Sequence, residues 1–329
     1  MKLADLGEFG FIERIQRAVV ELEGSGVRLG IGDDCAVLEL PAGQVLLTST
    51  DLLIEEIHFR SDWSDWRALG GKCVAVNVSD VAAMGGSPRH LYLGLAIPAT
   101  MAMDDLDAFL AGFLKTAADY GAVLVGGDTC RSPGPLMISV TVEGAVPADQ
   151  VVTRSGARPG DAIYASGTLG DSALALQRLQ FNRPMAEELA DRHHRPKARV
   201  ALGRALAEAR LPSAMIDVSD GVLADLGHIL DASDVGARLE QARFPLSLGF
   251  SQALAEESAL FELALSGGED YELLFTVPAD KEHLLAALVA DVPVTRIGTV
   301  TEAEQGLLLV DEAGEVRSAR AKGYNHFRG

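Results

Sequence analysis

Acidic side chains set beside glycines, or inside apolar runs, are the residues of this sequence best suited to chemistry. The first group is Gly30-Ile31-Gly32-Asp33-Asp34, answered by Thr48-Ser49-Thr50-Asp51. Short β-like runs at 36–40 and 45–50 flank Pro41-Ala42-Gly43-Gln44, a pattern that predicts a hairpin with a four-residue loop. With Leu40 opposite Val45, that register puts Asp34 opposite Asp51. Facing carboxylates destabilise a strand pair unless a cation lies between them, so the pattern points to a divalent metal.

Other acids follow the same style. Leu69, Cys73, Val76, Asp80 and Ala83 recur at helical spacing within 65–84, which sets Asp80 in an apolar stripe. A carboxylate there must be protonated, paired or bound to metal; a place near the protein surface is the plainer alternative. Gly126-Gly127-Asp128-Thr129 is expected as a turn after a short strand at 123–125, with N–H groups open to an anion and a carboxylate open to that anion's metal. Gly-Gly-Asp is also a common turn. Asp217 and Asp220 bracket a strand-to-helix turn, in which Ser219 or Asp220 could simply cap the helix. Gly267-Gly268-Glu269 precedes a strand at 272–277 and repeats the pairing of glycines with an acid.

Asp34, Asp51, Asp80, Asp128, Asp217, Asp220 and Glu269 are hard oxygen ligands, suited to Mg²⁺ or Ca²⁺. Mg²⁺ takes only one or two carboxylates and completes its shell with substrate phosphates, so many acids with few lysines suggest several Mg²⁺ ions around a polyphosphate. The usual nucleotide signatures are missing: there is no G-x-x-x-x-G-K-[ST] loop, and neither H-R-D nor D-F-G. No Ser-His-Asp or Cys-His nucleophile stands out. A metal-dependent phosphatase is disfavoured because no aspartyl nucleophile motif is present.

The elements that must position these acids alternate between helix and strand. Helices are expected at 8–22, 65–84, 104–120, 198–209 and 222–230, with another starting at 173–179. Strands are expected at 90–97, 136–144, 162–165 and 214–216, and a loop at 52–59. Gly167 to Ser172 reads as a helix cap that could also hold phosphate. The segment 181–197, with His193-His194, reads as a solvated connection. Turn-rich sequence at 147–161 marks a boundary between domains 1–148 and 149–329, and the class is α/β or α+β. The aromatic end Lys322-Gly323-Tyr324-Asn325-His326-Phe327 is expected to be docked.

At 329 residues and 48% hydrophobic, the chain can bury two cores. A net charge of −19 argues against nucleic-acid and anionic-membrane partners. Cys35, Cys73 and Cys130 have no metal-type spacing and read as reduced thiols. With no signal-peptide pattern and no apolar run near the roughly 20 residues of a spanning helix, the cytoplasm is the expected location.

At 30–37, 49–59, 76–85, 126–129, 153–156, 216–223, 265–275 and 322–327 the sequence resembles the thiamine-monophosphate kinase family. Its superfamily also holds aminoimidazole ribonucleotide synthetase and selenophosphate synthetase. The resemblance implies an N-terminal α/β domain that forms a shared β-barrel in a homodimer, and a C-terminal α/β domain. It implies Mg²⁺-dependent transfer of the γ-phosphoryl group of ATP, the co-substrate, onto thiamine monophosphate. Metal ligands would be Asp34, Ser49, Thr50, Asp51, Asp80, Asp128, Asp217 and Asp220, with Asp80, Asp128 and Asp220 closest to the chemistry. ATP contacts would come from Gly127, Asp128, Arg154 and Ser219, and contacts to thiamine monophosphate from His58, Glu269 and Tyr324. Two positions depart from the family pattern: Leu110, near a position often aromatic, and Asn325, where Asp is usual. Two alternatives stand beside this: a superfamily synthetase acting on a purine ribonucleotide, and a non-catalytic cation-binding module.

Overall fold

The computed structural model describes residues 3–19, 24–31, 35–288 and 292–320. Asp34 and Tyr324, and with them the aromatic end, lie outside these residues. The chain divides into two compact units: residues 1–81 with 86–149, and residues 82–85 with 150–329.

In the first unit, α1 (Leu3–Ala18) precedes β1 (Val27–Leu29), β2 (Val37–Leu38) and β3 (Gln44–Ile54). Next come α2 (Trp66–Ala83), β4 (Ser87–Pro98), α3 (Met103–Asp119), β5 (Val123–Ser132) and β6 (Met137–Pro147). The four-stranded sheet runs β3-β6-β4-β5, while β1 and β2 form a separate ribbon. This overturns the expected hairpin: β2 pairs with β1, and β3 pairs along its whole length with β6. The reason is burial. Eleven residues of β3 set Leu47 and Leu53 on the same face as Val140 and Val142 of β6, all buried, an apolar pairing that a two-residue β2 cannot match. Asp51 therefore stands opposite Val140, not Asp34. The opposite face of the sheet carries Leu46, Leu52 and Met137, all exposed.

The second unit begins with β7 (Ala162–Ser166), α4 (Asp171–Gln180), α5 (Glu187–His194), α6 (Val200–Glu208) and β8 (Ala214–Asp217). It continues through α7 (Val222–Ser233), β9 (Gly236–Glu240), α8 (Leu248–Glu256), α9 (Phe261–Ser266) and β10 (Leu273–Val277). It ends with α10 (Glu282–Leu288), β11 (Val294–Thr301), β12 (Leu307–Val310) and β13 (Val316–Ser318). Its sheet has the order β13-β12-β9-β11-β7-β10-β8 and is antiparallel except between β9 and β12. Both faces of its central strands are covered. Ile163, Ile216 and Leu274 pack with α4, α7, α8 and α9, and Met215, Phe275 and Val277 with α6 and α10. Such strands read as continuous apolar runs, as Leu273-Leu274-Phe275-Thr276-Val277 does.

The expected connection at 181–197 is instead partly helix α5, with Leu189 and His193 buried. Leu189 and His193 lie one turn apart and so face the core together. The expected loop at 52–59 also needs correction: β3 runs on to Ile54 before the chain turns at Glu56, which has φ +70°.

Candidate active site

In the first unit, strand alternation puts Ser49 and Asp51 on the face of β3 that packs inward, half-buried. Asp80 lies in the last turns of α2, also half-buried. Ser49 donates its hydroxyl hydrogen bond to Asp80 Oδ2 at 2.6 Å. Burial pushes the Asp51 carboxyl up to about 6, and the charge on Asp80 adds to the shift. Two carboxylates that disfavour each other's ionisation, with a hydroxyl beside them, form a donor set that a hard dication relieves. Among the described residues, no group of three or more His, Cys, Asp or Glu side chains gathers to hold a metal unaided. Mg²⁺ does not need one, since substrate oxygens complete its shell.

Thr50 belongs elsewhere. Its side chain turns to the opposite face of β3, where Oγ1 meets Val140 O at 3.1 Å and Thr141 Oγ1 at 2.9 Å. Asp128 is also apart from the pair. Pairings carry one row across the sheet from Asp51 through Val140 and Leu93 to Gly127, so about 14 Å, three strand spacings, separates the two ends. The Gly126-Gly127-Asp128-Thr129 segment is not a turn, because β5 continues through it to Ser132. Gly127 has φ +154°, and a Cβ there would lie 2.0 Å from Leu93 O. Glycine is needed at 127 so that β5 can approach β4. Asp128 itself is exposed, and its Oδ1 accepts the Thr129 N–H at 2.9 Å.

His58 follows the turn after β3. Its Nδ1 accepts the Ile54 N–H at 3.0 Å, so that nitrogen is unprotonated and the ring is held by main chain.

In the second unit, two loops lie back to back. Glu269 N–H donates to Ser219 O, Tyr271 N–H to Val218 O, and Val218 N–H to Glu272 O, each at 2.8 Å. A Cβ on Gly268 would stand 2.3 Å from Ser219 O, so only glycine permits this approach. The structure thereby brings together Asp217, Ser219, Asp220 and Glu269. Neither Ser219 nor Asp220 caps α7, as sequence had allowed. Asp225, in the first turn of α7, takes the N–H groups of Ser219, Asp220 and Gly221 on one oxygen at 3.0–3.1 Å. Burial pushes Asp225 up to about 7, against the pull of those three donors. Arg154 is exposed in the segment before β7 and makes no ion pair among the described residues.

Models of the AIR synthase related protein match this chain twice, the N-terminal domain at residues 32–146 and the C-terminal domain at 158–310. The thiamine-monophosphate kinase of Escherichia coli (strain K12) is 43% identical over 98% of both chains. The chain belongs to the thiamine-monophosphate kinase family. Among solved structures, the thiamine-monophosphate kinase of Stenotrophomonas maltophilia K279a is 39% identical, with a TM-score of 0.82 over 93% of this chain and 96% of that one. AaThiL complexed with AMPPCP and TMP is 34% identical, with a TM-score of 0.77 over 99% of both chains. The mixed α/β two-domain architecture is therefore that of the AIR synthase related proteins.

The residues that hold the loops of the second unit did not stand out in the sequence. Glu272 is fully buried and receives Ser166 Oγ at 2.5 Å, Arg192 Nη2 at 2.8 Å and Arg199 Nε at 2.7 Å. Asp270 accepts Gly170 N–H at 2.6 Å, and burial pushes its carboxyl up to about 8. The available signal was Arg192 in the segment 181–197 read as solvated, near the apolar Leu189, and Arg199 at the start of the expected helix 198–209.

Proposed function

We propose that this chain is an ATP-dependent kinase that transfers the γ-phosphoryl group of ATP to thiamine monophosphate, giving thiamine diphosphate and ADP. The observation that carries this is identity of 43% over 98% of both chains with a thiamine-monophosphate kinase. Likeness along the full chain to a structure complexed with AMPPCP and TMP adds to it. No helix among the described residues is long and apolar enough to cross a membrane. We assign the cytoplasm, where three free cysteines would stay reduced.

The acceptor needs little activation. A phosphate monoester has its second pKa near ~6, so at neutral pH it is already a dianion and needs no strong base. The obstacle is repulsion between two polyanions, and catalysis reduces to charge neutralisation and alignment. We assign the dications to several Mg²⁺, with ligands Asp34, Ser49, Asp51, Asp80 and Asp128 in the first unit and Asp217 and Asp220 in the second. When bound they would neutralise phosphate oxygens and favour in-line transfer. Ser49 has a defined part in this, because its hydroxyl donates a hydrogen bond that orients the Asp80 carboxylate. Thr50 remains in the assignment only through its main chain. Gly127, Asp128, Arg154 and Ser219 are assigned to ATP, and His58, Glu269 and Tyr324 to thiamine monophosphate.

We also propose a homodimer. Its support is the sheet face of the first unit that carries exposed Leu46, Leu52 and Met137, since apolar residues clustered on one face mark a contact surface.

Incubation with ATP, Mg²⁺ and thiamine monophosphate should yield thiamine diphosphate and ADP in equal amounts, and omitting Mg²⁺ should abolish both. ADP release with a purine ribonucleotide in place of thiamine monophosphate would instead favour a superfamily synthetase. Light scattering after gel filtration should report twice the chain mass.

A further inference from the structure

We infer that His193, braced by Ser172, is a positioning residue that aims the Glu269 carboxylate at the cationic thiazolium and aminopyrimidine end of thiamine monophosphate. The inference rests on the kinase reading above. His193 is in the last turn of α5 and buried. Its Nδ1 lies 2.9 Å from Ser172 Oγ and 3.5 Å from Glu269 Oε2. One ring nitrogen thus touches both the Ser172 hydroxyl and the Glu269 carboxylate, so the hydroxyl holds the imidazole against that carboxylate.

The backbone of Glu269 is constrained as tightly as its side chain. Glu269 and Tyr271 both take left-handed conformations, φ +67° and +51°, which disfavour side chains other than glycine. The residues between and after them hold this shape. Asp270 accepts Gly170 N–H at 2.6 Å and Ser172 N–H at 3.4 Å, and Glu272 is tied to Arg192 and Arg199. Ser172 thus acts twice, through its N–H on Asp270 and through its hydroxyl on His193. One short piece of α4 locks both the main chain next to Glu269 and the imidazole beside its carboxylate. A residue whose role were only to fill the core would need neither the strained backbone nor a ring nitrogen facing a half-exposed carboxylate.

The test compares His193→Leu, His193→Asn and Ser172→Ala with wild type, in steady-state kinetics and in equilibrium binding of thiamine monophosphate. His193→Leu should raise KM and Kd for thiamine monophosphate about tenfold, the scale of one hydrogen bond to a charged group, with KM for ATP and kcat changed less than about twofold. His193→Asn sets an amide N–H near the Nδ1 position and should recover most of the loss. Adding Glu269→Gln to His193→Leu should cost little more than either change alone. The inference is overturned if thiamine monophosphate binds all variants equally, if Leu and Asn behave alike, or if only kcat and thermal stability fall. Should His193→Leu not fold, Ser172→Ala carries the same comparison. A wild-type protein that does not act on thiamine monophosphate overturns the kinase reading and this inference together, whereas an active wild type with insensitive variants overturns the inference alone.

Discussion

Two acidic regions of this protein are built in opposite ways. In the first unit, Ser49, Asp51 and Asp80 project from the middle of an eleven-residue strand and from the last turns of an eighteen-residue helix. Regular hydrogen bonding already fixes their backbones, and one side-chain contact, Ser49 to Asp80, completes the arrangement. In the second unit, Asp217, Ser219, Asp220 and Glu269 sit at a strand end and on loops, and their positions depend on buried carboxylates that touch main chain or arginine: Asp225, Asp270 and Glu272. The first region presents its polar groups from regular elements. In the second, three buried carboxyl groups, Asp225, Asp270 and Glu272, serve to hold the loops.

Substitutions in the two regions should therefore separate turnover from stability. Asp80→Ala should lower kcat by roughly a thousandfold, several kcal/mol of lost electrostatic stabilisation, while circular dichroism and the melting temperature stay near wild type. Near-normal turnover would remove Asp80 from the metal shell. Glu272→Ala should do the reverse. It strands Arg192 and Arg199, whose side chains are only 22% and 13% exposed, and should cost about 3 kcal/mol of unfolding free energy in urea titrations. If stability is kept and only kcat falls, the contrast between the regions fails.

Asp270 gives a smaller, pH-dependent effect. Its folded-state carboxyl is pushed up to about 8 from 3.8, so between roughly pH 4 and pH 8 the folded protein holds a proton that the unfolded chain has released. Stability from this group is present below about pH 4 and is lost as pH rises toward about 8. Asp270→Asn should flatten the fall in stability over that window by at most about 1.4 kcal/mol per pH unit, read from urea midpoints across a pH series. The smallest effect is expected inside the first region. Thr50→Val should change kcat less than about threefold, because its hydroxyl faces Thr141, whereas Ser49→Ala should cost about tenfold through Asp80. Equal losses would return the Thr50 hydroxyl to the metal shell.

The sequence made some of this legible. Helical spacing located α2 and set Asp80 in its apolar stripe, and short strand-like runs located β4, β6, β7 and β10 to within a few residues. It misread the 36–50 hairpin because local turn signals say nothing about a partner ninety residues away, and β6 offered β3 a longer buried pairing. Gly126-Gly127 looked like a turn because glycine marks both turns and close strand approach, and only the position of Leu93 O distinguishes them. His193 and Arg192 looked like part of a solvated connection because their partners Ser172 and Glu272 lie outside that segment.

What the sequence determined by itself was the chemistry available: hard oxygen donors beside glycines, an acidic surface, two cores, and motifs in family order from end to end. These follow from residue type and local periodicity, which act over a few neighbours. Tertiary structure decided which donors share a face, that Asp51 stands with Asp80 while Thr50 turns away, and which buried carboxylates hold Ser219 and Glu269 in place. Those outcomes depend on burial and on partners up to a hundred residues distant, and no local pattern encodes the free energy of bringing them together.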